Sequence, residues 1–455
     1  SGGTAGGTIT AGNLAIPPGM PQWDSGVPIY GANVSTSLLN CFNNPCPIMS
    51  VDRNLTTPYV WNWTLNLQHA FTPNLSMEVA YVGNRGTNLT GIRDINQPPV
   101  GSGWTTNQPG SDGSLTACLA SASTGYNNCS VDSGFEQLNQ PFNAKFPYLS
   151  NIFQMGNVYR SNYDGLQVTL NARNYHGLSM VAGYTYGHAL DDVGANWDFG
   201  YGAGLPQDST HVQREYANSD FDMRHRLTAS LTYAIPGRKG AGQMLEGWEI
   251  NSIITLASSQ YWGPIDLGTD AAGVGPLPVS PPANEPIRWS FYGKPSDFKS
   301  TPTGIPYFSG ASNANCAAKA LSVDGGTAGA ATASLNLFGC YAQGASLMLP
   351  PPLGQFGNMS RNMFPDTGFR NFDFSIAKNW HLGERVHAQF RAELFNILNH
   401  PNFANPYGGQ NGFGLNDPSA RPFGCGCATP DVAAANPVIG SGGSRAVQLG
   451  LKFAF

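Results

Sequence analysis

The sequence predicts an all-β protein in which antiparallel strands form a barrel or half-barrel, joined by long ordered loops. Three observations carry the prediction. Apolar and polar residues alternate with a period of two in many separate stretches, so each strand has one face of each kind. These stretches run to about nine to eleven residues, the length of a tilted membrane-spanning strand rather than the five or six of a soluble sandwich. The connections between them alternate between short turns and long loops. Composition agrees. Of 455 residues, 56 are Gly and 34 are Pro, and charged residues make up only 11%. So few charges, with a net charge of −5, exclude a solvating disordered chain and speak against a nucleic-acid partner. No run approaches the ~18 consecutive apolar residues of a membrane helix.

The elements follow in order. Trp61, Trp63, Leu65 and Leu67 alternate with Asn62, Thr64, Asn66 and Gln68, and Thr72, Pro73 and Asn74 turn the chain. Leu75, Met77, Val79 and Tyr81 answer them, closing a hairpin. Leu166 to Arg173 and Leu178 to Tyr186 form a second hairpin around Tyr175, His176 and Gly177. Leu227 to Ile235, Gly247 to Ser259, Phe372 to Ala377, Val386 to Leu394 and Val447 to Phe455 continue the pattern. The total is about ten to twelve strands, with apolar side chains such as Leu65, Val168, Leu231, Phe374 and Leu451 facing outward and Asn66, Thr169, Thr232, Gln448 and Lys452 facing inward. Aromatics gather at strand ends (Trp61, Tyr81, Tyr184, Tyr186, Tyr233, Trp248, Trp380, Phe455), as in interfacial girdles.

Short turns fall near 71–74, 175–177 and 381–384; long loops near 93–145, 188–222, 260–367 and 399–443. That asymmetry is the outer-membrane pattern. Residues 1–56 read as an N-terminal extension that starts at a mature or cut end, and 57–455 as the barrel. The stretch 269–352 is rich in Gly, Ala, Pro and Ser and holds few large apolar residues, so its order should depend on partners.

Eight cysteines fall in four local couples inside turn-rich stretches. No CxxC knuckle suggests zinc. Local disulfides Cys41–Cys46, Cys118–Cys129 and Cys316–Cys340 are expected, as in an oxidising compartment. Cys425 and Cys427 would close a very tight ring, and their pairing stays open.

The chain ends Gln448-x-Gly450-x-x-Phe453-x-Phe455, which resembles the signal that outer-membrane assembly machinery reads on its barrel clients. Further stretches resemble the barrel of TonB-dependent receptors, of the Oar-like type with a carboxypeptidase-regulatory-like N-terminal domain found in acidobacteria. They are Thr57 to Leu65, Val82 to Thr87, Ser161 to Gln167, Gly183 to Asp192, Ser219 to Arg226, Leu245 to Glu249, Phe356 to Asn362 and Phe390 to Phe403. The resemblance covers the C-terminal half of such a barrel. It implies a missing N-terminal barrel half and plug as partners, and outer-membrane lipid around the wall.

No catalytic constellation is visible, and no enzyme, cofactor or metal site is expected. No His pairs with a Glu at zincin spacing, and there is no GxSxG elbow or P-loop lysine. Asp191 and Asp192 read as a solvated turn rather than a calcium pair. Arg391 and Glu393 share the polar face of one strand, as an interior charge pair would. Two functions follow. The first is a structural fragment, at the outer membrane or extracellular surface, that self-assembles with copies of itself into filaments or tubes. Its free β-edges would pair, and loop aromatics Trp23, Trp104, Tyr261, Trp262 and Phe308 would anchor neighbours. The alternative is the barrel part of an intact transporter for large substrates such as glycans or peptides.

Overall fold

The structure is a computed structural model. It describes residues 46–106, 129–131, 133–193, 205–238, 243–266, 270–275, 287–381, 386–404, 417–419, 422–427 and 442–454, with a few isolated positions between them. In chain order the strands are β1 (Cys46–Val51), β2 (Tyr59–Thr72), β3 (Leu75–Asp94), β4 (Trp104–Thr106), β5 (Cys129–Val131), β6 (Leu149–Tyr175) and β7 (Leu178–Asp191). Then come β8 (Ala217–Asn218), β9 (His225–Ala234), β10 (Trp248–Ala257), β11 (Tyr261–Trp262), β12 (Ser290–Tyr292) and β13 (Tyr307–Phe308). The last are β14 (Cys340–Gln343), β15 (Ser346–Leu349), β16 (Phe364–Pro365), β17 (Phe369–His381), β18 (His387–Phe395) and β19 (Ala446–Ala454). Among the described residues, three short α-helices can be bounded: α1 (Ser133–Asn139), α2 (Ala314–Val323) and α3 (Ala330–Phe338).

The main sheet has 11 strands and follows the order β19-β18-β17-β10-β9-β7-β6-β3-β2, with β1 and β8 added at the side. Each step along that path is antiparallel. Consecutive strands therefore run in opposite directions, and all short connections fall at one end of the sheet. They are 73–74, 176–177, 235–247 and 382–386. Of the two connections of two residues, one is built by His176 and Gly177, with φ of 52° and 85°. Two positive φ values make a type I′ turn, whose twist matches the strands it joins. The long connections all lie at the opposite end.

Several strands exceed the expected nine to eleven residues: β3 has 20 and β6 has 27. Their ladder shifts register between Gly86 and Leu89 and then continues to Asp94 opposite Phe153. This extension carries polar residues on both faces and pairs with β1, so it stands beyond the alternating band. β1 also places an element inside the expected N-terminal extension. β2 and β19, at the two ends of the path, are exposed along nearly their whole length, and the sheet is open.

The described residues of the long connection from 258 to 368 form a folded cap with a core of its own, where composition suggested a linker. β12, β15, β14 and β13 form a four-stranded sheet, and α2 and α3 pack beside it. Asn313 caps α2 by accepting from the N–H groups of Asn315 and Cys316. Asp324 accepts from Ala331 and Thr332 N–H at 2.8 Å each and so satisfies the first turn of α3. A core of Trp262, Trp289, Phe291, Phe298, Tyr341 and Phe364 fills the interior, with Phe423 supplied by the connection after β18. The large apolar residues are few but converge on one point.

Candidate functional site

The register across the main sheet sorts its side chains by face, because directly opposed residues point the same way. One row reads Leu75, Ala172, Met180, Leu231, Ser252, Phe374, Leu394 and Val447. Beside it on the same face run Leu178, Tyr233, Ile250, Ile376, Ala392 and Leu449. The other face reads Ser179, Thr232, Asn251, Ser375, Glu393 and Gln448. The eight strands in these rows follow the division that the alternation predicts, with Ser252 and, nearer the short turns, Lys378 as polar residues on the apolar face. On the apolar face Tyr233, Trp248, Trp380 and Phe453 lie toward the short turns, and Trp61, Tyr81, Tyr184 and Tyr186 toward the long loops. Trp248 to Leu256 is a run of nine residues, about 26 Å along the strand, the length that a tilted membrane-spanning strand needs. The polar face is indented by a shallow hollow of about 300 Å³, whose lining includes Thr232, Asn251, Asp373, Arg391 and Glu393. Arg391 and Glu393 are paired there at 3.3 Å.

A network of ions and amides ties the cap to the end of β7 and to the connection between β7 and β9. Arg288 of the cap donates to both Glu215 oxygens, at 2.6 and 2.8 Å, and both side chains are buried. Arg361 donates to the Asp191 carboxylate and backbone carbonyl at the end of β7. Asn218 and Asn362 exchange side-chain-to-backbone bonds at 3.1 and 2.9 Å. Asp222 accepts from Arg224 Nε at 2.8 Å and from Ala189 N–H at 2.8 Å.

Asp191 and Asp192 are therefore not a solvated turn. Asp192 is buried and accepts from Arg160 N–H at 2.9 Å, with the Arg160 guanidinium at 3.5 Å. Burial pushes its carboxyl up to about 6, against the opposing pull of Arg160 and Arg361. Burial also raises Asp191, although Arg361 lies beside it. The sequence flagged the aspartates but not Arg288, Glu215 or Arg361. Their partners lie 73 and 170 residues away, beyond any spacing rule.

The predicted site residues divide as follows. Cys316 and Cys340 are joined, linking α2 to β14. Cys425 and Cys427, left open by the sequence, lie with their sulfur atoms against each other. The Cys41–Cys46 and Cys118–Cys129 pairings, Trp23 and Phe455 lie outside the described residues. Gln448 and Gly450 sit on the polar face of β19 and Phe453 on its apolar face. Trp104, expected to anchor a neighbouring copy, is buried instead in its own chain, its indole N–H donating to Ala271 O at 2.8 Å. Trp262 is 1% exposed at the centre of the cap core. Phe308 packs against the second cap cluster, and Tyr261 lies under the Arg224 guanidinium. These aromatics anchor loops to one another within the chain. Among the described residues, no group of three or more His, Cys, Asp or Glu is placed to hold a metal ion.

A family model for the outer membrane beta barrel domain matches residues 6–423. The chain belongs to that family. Its wall is thus an outer-membrane β-barrel wall, its apolar face toward lipid. Among solved structures it is similar to the outer membrane transporter YddB from Escherichia coli, at 7% identity and a TM-score of 0.33, over 80% of this chain and 31% of that one. It is also similar to the toluene transporter TodX of Pseudomonas putida, at 9% identity and a TM-score of 0.17, over 74% of this chain and 55% of that one. The barrel chain thus spans about a third of the length of YddB and about half that of TodX. No curated protein matches the sequence.

Proposed function

We propose that the chain is the wall and outer cap of an outer-membrane transporter of the Oar-like TonB-dependent type, admitting large solutes such as glycans or peptides and carrying no enzymatic chemistry. The observation that carries this reading is one sheet of membrane-spanning strand length with an apolar face, a polar opposite face, and a folded cap at the long-loop end only. Short turns belong on the periplasmic side and long loops outside, so the cap would meet solutes first. The resemblances from Thr57 to Phe403 support the Oar-like assignment. The free edges of β2 and β19 would pair with the further barrel strands that such a receptor contributes.

The filament reading rested on loops that need neighbours to be ordered; the cap core and the Cys316–Cys340 bond offer another source of that order within one chain. Replacing residues 290–349 by a short Gly/Ser linker in the membrane-inserted protein tests the proposal. Uptake of a labelled oligosaccharide or peptide should fall, with the barrel still heat-modifiable in the membrane. Unchanged uptake of every solute offered, or electron micrographs showing native filaments free of membrane, would overturn it.

A further inference from the structure

The connection between β9 and β10 is the longest of the short-side turns, and its residues 243–247 fold back over the lipid face. Two bonds fix that direction. Trp248 lies on the apolar face, and its indole N–H donates to Met244 O at 2.8 Å. Lys378, opposite Trp248 on the same face, donates from Nζ to Glu246 O at 2.6 Å and Asn379 O at 2.8 Å. Backbone carbonyls 244 and 246 are therefore held by side chains that point to lipid, not to the lumen. A third tie comes from Gln243, which clamps His381 at the end of β17. Its amide donates to His381 O at 2.7 Å and accepts from His381 N–H at 2.8 Å. Gly247, at φ 69°, makes the sharp return into β10, and a Cβ there would lie 2.6 Å from Asn379 O.

The connection so placed presents apolar side chains where a turn in water would present polar ones. Leu245 is 63% exposed and Met244 56%. Ile235 beside them is also exposed. They continue the aromatic belt of Trp248 and Trp380. The charge is basic: residues 236–247 hold Arg238 and Lys239 against Glu246 alone, and Arg238 is exposed. Lys378 is fully buried beneath, 4.8 Å from the Trp380 ring centre, with no described carboxylate within salt-bridge reach. Apolar tips at the level of an aromatic belt, in a connection whose exposed Arg238 is basic, are what an interfacial lipid anchor needs.

We infer that the β9–β10 connection is a membrane anchor seated in the phospholipid headgroup layer on the short-turn side, with Met244 and Leu245 inserted and Lys378 as the positioning residue beneath. The periplasmic leaflet is named on the orientation proposed above; the seating itself rests on the geometry. It follows that the chain fixes its depth on this side by a loop as well as by its belt.

The test labels Leu245→Cys with an environment-sensitive fluorophore in the full chain, folded into vesicles of phosphatidylethanolamine and phosphatidylglycerol. Leu231→Cys on the apolar face and Thr232→Cys on the polar face are the references. At Leu245 a nitroxide at acyl carbon 5 should quench more than one at carbon 12, and iodide should quench roughly threefold less than at Thr232. Iodide reaching Leu245 as freely as Thr232, with Leu231 shielded, would overturn the inference. Iodide reaching Leu231 as freely as Thr232 would overturn the membrane wall, and the anchor with it. Adding Lys378→Met should open Leu245 to iodide and leave Leu231 shielded; no change would remove Lys378 from the positioning role.

Discussion

Arg288 and Glu215 show how a single pair can hold the cap on the connection that leads from β7 to β8. Both are buried and bonded through two parallel N–H···O contacts. Removing one partner leaves a buried charge with nothing opposite it, so Glu215→Gln should destabilise the cap by about 3–5 kcal/mol. Replacing both with apolar residues should recover much of that loss, and limited proteolysis across 290–360 would read both effects. Asp192 gives the pH dependence. Its carboxyl is raised by burial to about 6, so folding favours the protonated form. That stabilisation is fully present below the ordinary carboxylate range and is lost as pH rises through about 6. The junction should therefore open more readily at pH 8 than at pH 5. Asp192→Asn should flatten the difference, as hydrogen exchange at the end of β7 would show.

At the scale of the element, the two faces of a strand can be tested one residue apart. Leu231 faces lipid near mid-height and Thr232 faces the lumen. Leu231→Arg should cost about 2–4 kcal/mol of folding stability in vesicles, and Thr232→Arg much less. Equal costs would mean that the faces are wrongly assigned. In the cap, the bond between Cys316 and Cys340 closes a sequence separation of 24. Its removal as a paired alanine variant should lower cap stability by about 3 kcal/mol on the chain-entropy estimate. The strands were legible in the sequence because burial on one face repeats every two residues, and Leu227 to Tyr233 shows it without help from any other segment. The cap was not legible, for a physical reason. Its strands are two to four residues long, too short to show a period. Its core joins Trp262, Trp289, Tyr341 and Phe423 from positions that only the fold brings together. The same stretch reads as a linker by composition because its helices use Ala and Ser, small enough to let α2 and α3 lie close. Asp191 and Asp192 were noticed as a pair, but their partner Arg361 could not be.

For the whole molecule, the direction of the strands limits how the wall can close. Eight antiparallel steps separate β2 from β19 along the sheet, so these two edge strands run the same way. Joining them directly would need one parallel seam in an otherwise antiparallel wall, whereas bacterial single-chain barrels close with even strand numbers and antiparallel seams throughout. A second copy does not remove the difficulty. If it crosses the membrane in the same direction, its β2 is again parallel to the first copy's β19. Antiparallel closure takes an odd number of further strands between the two edges. In lipid the alternative is a row of open N–H and C=O groups along β2 and β19, each costing several kcal/mol. Cysteines placed at Leu65 and Leu451, on the apolar face of the two edges, test this. They should not crosslink to each other within one chain or between copies in the membrane-inserted protein. Cysteines across the internal ladder, at Leu231 and Met180, should crosslink readily. Efficient crosslinking of 65 to 451 would mean that the nine strands close by themselves through a parallel seam, and the wall would then be a small complete barrel rather than part of a larger one.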